Sequence, residues 1–353
     1  MKVRNTVFGS IQGAARSITV AAIPLAERCI RRDAVLEKGP AATDQLRFDD
    51  QVALVTGVST FGLGLAYARL LAARGCRVVV NDLGRDWAGS ANPPGTDEAV
   101  RIIEAEGGTA VGVTGDVVAE APQIVQAAVD VFGRLDIVIN NAGAGGDFDT
   151  QVDVHLRGAH RISEAAWPHL AATGAGRILN ISSNGSYGAP AMPGYAAAKG
   201  GILSLTRTQA ILGKPVGVRA NTILPAAWTR STAGIEQPGF ADFIATHFPP
   251  EAVAAFATYL LHGDTTLTGE AFAVGGGLVT RVVQAETPGA QAADHVPEAW
   301  PALIDQVLAP GQMVVAGSLW AQLDAFVGRM GPATQADWEA IRIAPDVTGK
   351  VGA

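Results

Sequence analysis

A parallel β-sheet covered by helices on both faces is the architecture this sequence predicts, and two observations carry it. From Gln51 onward, short apolar runs rich in β-branched residues recur along the chain, each bounded by Gly, Asp, Asn or Pro. Strands buried on both faces read this way. Stretches of helical length separate the runs, so that strand and helix alternate. Together these predict an α/β chain with a doubly wound (Rossmann) parallel sheet. With 353 residues, 48% hydrophobic and 17% charged, the chain has ample material for a core, which argues against disorder of the whole.

In order, the strand candidates are VALVTG (52–57), RVVVND (77–82), TAVGVTGD (109–116), LDIVINNAG (135–143), GRILNISS (176–183), VRANTILP (218–225) and EAFAVGGG (270–277). Helices are expected over 62–74, 96–106, 120–132, 152–171 and 194–212, and this core domain spans 47–280. Beyond Arg281 the sequence turns Pro- and Ala-rich. Helices are expected there over 297–308 and 317–329, with Pro and Gly at their ends. Residues 281–353 therefore read as a helical C-terminal appendage packed on the core, serving either as a lid or as an interface arm. Residues 1–46 are basic, with Lys2, Arg4, Arg16, Arg28, Arg31 and Arg32 against Glu27 as the only acid before Asp33. They read as a loosely attached extension or a targeting peptide. Pro24 in SITVAAIPLA and the lack of an A-x-A-like site speak for the extension.

The net charge of −7 argues against nucleic acid as partner. No apolar run approaches the roughly 18 residues that span a bilayer. Cys29 and Cys76 provide neither a disulfide framework nor metal-ligand spacing, which points to a reducing, cytoplasmic setting. His160, His169, His247, His262 and His295 show no ligand spacing either, so no metal is expected.

LVTGVSTFGLGLAYA (54–68) sets Gly57, Gly62 and Gly64 where a strand passes into a helix. Glycine alone can mark a plain turn. Here, however, the flanking strand and helix are joined by Asp82, which ends the next strand 18 residues after Gly64. In that arrangement helix N-terminal amides hold a pyrophosphate and the acid bonds the adenosine ribose. A carboxylate repels a 2′-phosphate, so NAD is favoured over NADP, with Arg85 near enough to blur the preference.

The spacing resembles the glycine loop of the short-chain dehydrogenase/reductase family, T-G-x-x-x-G-x-G. In this chain it runs Thr56, Gly57, Val58-Ser59-Thr60-Phe61, Gly62, Leu63, Gly64, one residue longer. The extra residue lengthens the turn by up to about 3.5 Å, so the loop is expected to bulge and send Phe61 outward or over the cofactor, weakening binding. Further family motifs follow in order. GDV, with Asp116 and Val117, resembles the turn that meets the adenine ring. NNAG (Asn140, Asn141, Ala142, Gly143) resembles the strand end that supports the cofactor. NISS precedes Tyr195-Ala-Ala-Ala-Lys199, the Y-x-x-x-K motif, and RANTILP, with Asn221 and Pro225, resembles the strand that approaches the nicotinamide. The likeness spans about 47–280. It implies cofactor contacts at Thr56, Gly57, Ser59, Gly62, Leu63, Gly64, Asp82 and Asp116, and also at Val117, Asn141, Ala142, Gly143, Tyr195, Lys199 and Pro225. VVVNDLG (78–84), VHLRGA (154–159), AAWPHL (165–170) and LTGEAFAVGGG (267–277) are similar to the dehydrogenase units of peroxisomal multifunctional β-oxidation enzymes and their bacterial single-domain relatives. Those act on 3-hydroxyacyl-CoA or hydroxysteroids.

Hydride exchange between a secondary alcohol and a nicotinamide needs a proton carrier at the alcohol oxygen and a donor that holds that oxygen. Tyr195 and Lys199, at i and i+4, share a helix face. An ammonium there would move the phenol pKa down from about 10, and the resemblance gives Lys199 a bond to the nicotinamide ribose. The oxygen-holding serine is Ser183 or Ser182; Ser183 matches the motif position, although it stands twelve residues before Tyr195, one fewer than in many relatives. Where many family members place a water-holding asparagine, this chain has His155, either holding a water or packing its helix. Only eleven residues separate Gly143 from His155, about ten fewer than in relatives, so a more open rim and a late-starting helix are expected.

Three functions remain open. One is an NAD-dependent alcohol dehydrogenase or ketone reductase for a bulky apolar, hydroxysteroid-like or 3-hydroxyacyl-CoA-like substrate, for which 188–194 and 226–240 supply walls with few charges. Another is a biosynthetic tailoring ketoreductase. The third is a non-catalytic NAD-binding relative. The resemblance also implies a homodimer or homotetramer.

Overall fold

The computed structural model of the chain describes residues 45–84, 95–229, 232 and 238–341. Arg85, nearly all of the 1–46 extension, part of the 226–240 wall segment and the last residues of the 281–353 appendage lie outside the described residues. The described residues from Leu46 onward form one compact unit.

Eight strands form one sheet in the order β3-β2-β1-β4-β5-β6-β7-β8. They are β1 (Val52–Thr56), β2 (Arg77–Asp82), β3 (Thr109–Thr114), β4 (Ile137–Asn140), β5 (Arg177–Ile181), β6 (Arg219–Pro225), β7 (Ala271–Gly275) and β8 (Leu278–Val282). The first seven are parallel and correspond to the seven expected strands. β8 is an addition, antiparallel to β7. Gly276 (φ 55°) and Gly277 (φ 79°) form the two-residue turn between them, and two successive positive φ values favour glycine at both positions. The sequence reading took GGG as a strand end and missed the hairpin.

Helices α1 (Leu63–Ala73), α2 (Gly95–Ala105), α3 (Ala121–Phe132), α4 (Phe148–Val152), α5 (Gly158–Ala172) and α6 (Pro193–Gly213) connect the strands. Successive β1 residues point to opposite faces. Ala53 and Val55 join Leu71 of α1 and Ile103 of α2 in one core, while Val52 and Leu54 join Ile124 of α3 and Ile162 of α5 in the other. Both faces are thereby covered, as predicted.

Two helices after β6 were not anticipated, α7 (Phe240–His247) and α8 (Pro250–Leu261). The signal for α8 was present. Val253, Ala254, Ala257, Leu260 and Leu261 are all buried, a helical stripe made mostly of small residues. In the appendage, Pro297–Ala302 is a 3-10 turn, followed by α9 (Ile304–Leu308), α10 (Leu319–Arg329) and α11 (Pro332–Ile341). Pro301 interrupts the single helix expected over 297–308. The Ser318 hydroxyl caps α10 by accepting from the Ala321 amide at 3.2 Å. Arg329 ties α10 back to Glu286 and to Thr287 O.

Candidate functional site

The site lies at the carboxyl ends of the parallel strands, where doubly wound sheets open a crevice. β1 and β4 are laced together there. Thr56 Oγ1 accepts from the amides of Asn141 and Ala142, both at 3.1 Å. In return Asn141 Nδ2 donates to Thr56 O at 2.9 Å and Gly57 O at 3.0 Å. The chain is so tight that a Cβ on Gly57 would stand 2.6 Å from Ala142 Cα, and one on Gly64 would stand 2.6 Å from Gly57 O. Gly57 (φ 69°) and Gly62 (φ 114°) also adopt the left-handed backbone region.

Opening from this turn is a cleft of about 560 Å³. Gly57, Ser59, Gly62, Leu63, Gly64 and Asp82 line one half, and Asn141, Gly143, Tyr195, Lys199 and Pro225 line more of it, together with His155, Ser182 and Ser183. Thr56 and Ala142 stand behind that lining as its braces. Asp116 and Val117 do not line it. Asp116 Oδ1 accepts from the Val118 amide at 2.7 Å, and Val117 is buried so close to α5 that a Cβ on Gly158 would be 2.6 Å from it.

This cleft fits a dinucleotide. Gly62 caps α1 with no side-chain acceptor, and no acid stands in the first turn. Orphan N–H donors and the positive end of the dipole therefore face the cleft, where an anion is stabilised. Asp82 presents its carboxylate at the end of β2, with Oδ1 also accepting from the Gly84 amide at 2.8 Å. The longer loop is absorbed locally. Val58 is fully buried, the Ser59 hydroxyl donates to Phe61 O at 2.9 Å, and Phe61 meets Trp228 edge-on at 6.0 Å. Phe61 thus lines the cleft and leaves it open.

At the floor of the cleft the two serines separate. Ser182 is buried and its hydroxyl donates to Lys199 O at 2.7 Å. The Ser183 hydroxyl instead flanks Gly185 together with the Tyr195 ring and accepts from the Gly185 amide at 3.0 Å. Of the two hydroxyls left open by spacing, that of Ser183 lies on the side of the Tyr195 ring, while that of Ser182 is engaged with the α6 backbone. Lys199 is buried, donates to Ile181 O at 2.7 Å, and its Nζ lies 5.6 Å from the Tyr195 ring centroid. Burial lowers the Lys199 pKa to about 7.

The phenol departs from expectation. Burial raises the Tyr195 pKa, and only the Ser183 bond opposes this. His155 packs edge-on to Tyr195 at 5.1 Å. Its Nε2 is 3.0 Å from Ala144 O and 3.4 Å from the Ala144 amide, so this nitrogen donates to the carbonyl in one tautomer and accepts from the amide in the other. Burial first, and the Lys199 charge second, push the His155 pKa down to about 3, so it is neutral near pH 7.

The helix holding His155 starts earlier than expected. Asp147 caps α4 by accepting from the Thr150 amide at 2.9 Å, so the run begins at Phe148 and not near 152. A π-helical turn over Asp153–Arg157 then carries His155. The cap was missed because DFDTQVDV has no apolar periodicity. Phe240, at the end of the 226–240 wall segment, lines the same cleft, joined by Ile244 of α7, which lies beyond that segment.

Comparison with known proteins agrees with this geometry. The short chain dehydrogenase family model matches residues 51–236. The chain is 38% identical over 265 residues to the peroxisomal multifunctional enzyme A of Dictyostelium discoideum, covering 72% of this chain and 59% of that one. The full-length peroxisomal multifunctional enzyme type 2 from Drosophila melanogaster superposes with a TM-score of 0.66 at 26% identity, covering 83% of this chain and 51% of that one. The chain thus spans little more than half the length of these relatives. A short chain dehydrogenase from Mycobacterium avium superposes with a TM-score of 0.63 at 32% identity, covering 75% of this chain and 96% of that one. Among the described residues no helix is long and apolar enough to cross a membrane, and no group of three or more metal-ligating side chains occurs. The chain belongs to the short chain dehydrogenase family.

Proposed function

We propose that this protein is an NAD-dependent dehydrogenase that interconverts a secondary alcohol and a ketone on a bulky apolar substrate, hydroxysteroid-like or 3-hydroxyacyl-CoA-like. The observation that carries the reading is the convergence of Ser183, Tyr195 and Lys199 on one cleft with the glycine loop and Asp82. When bound, the nicotinamide exchanges a hydride with the carbinol carbon. The α1 amides, with Gly57, Ser59, Gly62, Leu63 and Gly64, would hold the diphosphate. Asp82 would bond the adenosine ribose and favour NAD over NADP. Asn141, Gly143 and Pro225 would flank the nicotinamide half, Lys199 would bond its ribose, and Thr56 and Ala142 would act as braces.

In oxidation the Tyr195 phenol would first give its proton to the neutral Lys199 amine, and the resulting phenolate takes the substrate O–H proton as the C–H hydride leaves for the nicotinamide. In reduction Tyr195 returns it to the ketone oxygen. Ser183 holds that oxygen, and the neutral His155 orients the phenol ring from its edge. The phenol is disposed toward its neutral, proton-donating form by burial, and Lys199 with a pKa of about 7 is poised to exchange protons with it near neutrality. Phe240 and Ile244, uncharged walls of the cleft, support an apolar substrate. A reducing cytoplasmic setting suits the buried free Cys76, and assembly into a homodimer or homotetramer belongs to the same reading.

The test incubates purified protein and NAD with a panel of hydroxysteroids and 3-hydroxyacyl-CoAs and follows reduced cofactor by absorbance. Tyr195→Phe is expected to lower kcat by at least about 10²-fold while NAD binding persists. Turnover in Tyr195→Phe near that of the parent would overturn the assignment.

A further inference from the structure

We propose that Gln151 is a positioning residue for this reaction, capping from a neighbouring helix the first turn of the helix that carries Tyr195. The inference rests on the reading of Tyr195 as the proton carrier.

The first turn of any helix leaves backbone N–H groups without intrahelical partners. α6 starts Pro193-Gly194-Tyr195, and proline has no N–H to satisfy. The N-cap residue, Met192, offers no side-chain acceptor. The Tyr195 amide instead donates to Gln151 Oε1 at 2.8 Å. That acceptor belongs to α4, 44 residues earlier in the chain, and the Gln151 side chain is buried.

The approach is made possible by a second residue. A Cβ on Gly194 would lie 2.7 Å from both Phe148 Cα and Phe148 O, and 2.9 Å from Gln151 Oε1. Only glycine lets the start of α6 lie this close to α4. The consequence concerns geometry at the reacting atoms. Gln151 is one helical turn before His155, whose ring packs edge-on to Tyr195. One amide therefore ties the main chain of Tyr195 to the helix that supplies the imidazole beside its ring. The position of the phenol relative to Ser183 depends on where the backbone at 195 sits, and displacement of a reacting group by about 1 Å can cost on the order of 10²-fold in rate.

Two variants separate capping from mere packing. Gln151→Leu keeps the volume and removes the acceptor. Gln151→Glu keeps an acceptor oxygen and adds charge next to the α6 N-terminus. At saturating NAD and alcohol, Gln151→Leu is expected to lose about tenfold in the pH-independent kcat, with the NAD Kd changed less than about twofold. Gln151→Glu is expected to recover the plateau kcat to within about threefold, and to move the limb of the kcat–pH profile that reports Tyr195 upward by about one pH unit. A Leu variant within twofold of the parent kcat overturns the proposal, as does a Glu variant that falls as far as the Leu variant. If circular dichroism finds the Leu variant unfolded, the Glu profile decides, and an unmoved limb overturns the proposal. Tyr195→Phe is assayed alongside. Turnover surviving in that variant would remove the reading of Tyr195, whereas an inactive Tyr195→Phe with an indifferent Gln151→Leu would remove only the role of Gln151.

Discussion

Acidification probes the buried site through His155. The residue is only 5% exposed, and burial together with the nearby Lys199 charge takes its pKa from the ordinary 6.5 to about 3, against the opposing bond to Ala144. Between those two values the unfolded chain carries a proton on this imidazole and the native chain does not. Stability therefore rises with pH across that window. The contribution is complete above about pH 6.5 and is lost progressively as pH falls toward 3. The full span is worth on the order of 5 kcal/mol, at about 1.4 kcal/mol per pH unit. Lys199, with its own pKa near 7, is charged throughout the window, so its repulsion of the imidazolium persists there. The assay is urea unfolding of the parent and of His155→Asn in steps from pH 6.5 to pH 4. Asparagine does not titrate and can still donate to Ala144 O. Carboxylates titrate equally in both proteins, so the difference isolates His155. The parent is expected to lose about 3 kcal/mol more than the variant over that range. A difference that changes by less than about 0.5 kcal/mol would refute the reasoning.

Ser183→Ala is expected to lower kcat about 10²-fold with little change in Tm, since it removes the hydroxyl facing the phenol. Ser182→Ala, which removes a second donor from the mid-helix Lys199 O, should cost about 0.5–1.5 kcal/mol of stability; steady-state kinetics and thermal melts of the pair distinguish the roles. Gly64→Ala forces a Cβ to within 2.6 Å of backbone at Gly57 O. The loop must shift by a strain of about 1–3 kcal/mol, read by calorimetry as a weakening of NAD binding of at least about tenfold. Asp82→Asn removes the carboxylate while keeping an acceptor for the Gly84 amide. The ratio of NADP to NAD affinity should rise about tenfold in direct titrations, and an unchanged ratio would remove Asp82 from the ribose site.

Much of the fold was legible in the sequence because strand–helix alternation is written in local periodicity. The seven parallel strands and the helices between them follow from runs of β-branched residues and from glycines at the turns. The glycine loop, Asp82 and the Tyr195/Lys199 pair were legible for a related reason: each is a short motif whose spacing maps directly onto one turn or one helix face. Features that depend on contacts between distant segments were hidden. The β8 hairpin depends on two glycines adopting positive φ. The early start of α4 depends on an Asp147 cap that no periodicity announces.

The active-site electrostatics were hidden most of all. Spacing puts Lys199 beside Tyr195, and from spacing alone the phenol pKa should fall. Burial of the phenol itself raises that pKa, an effect that spacing does not reveal. Likewise no pattern in the chain distinguishes Ser182 from Ser183, or joins Gln151 to an amide 44 residues away. The sequence by itself determined which residue types stand at which strand ends, since those choices are local. The tertiary structure decided which hydroxyl meets the phenol, where the ammonium makes its bond and how far each charge is desolvated, because hydrogen bonding and dielectric depend on neighbours that only the folded chain brings together.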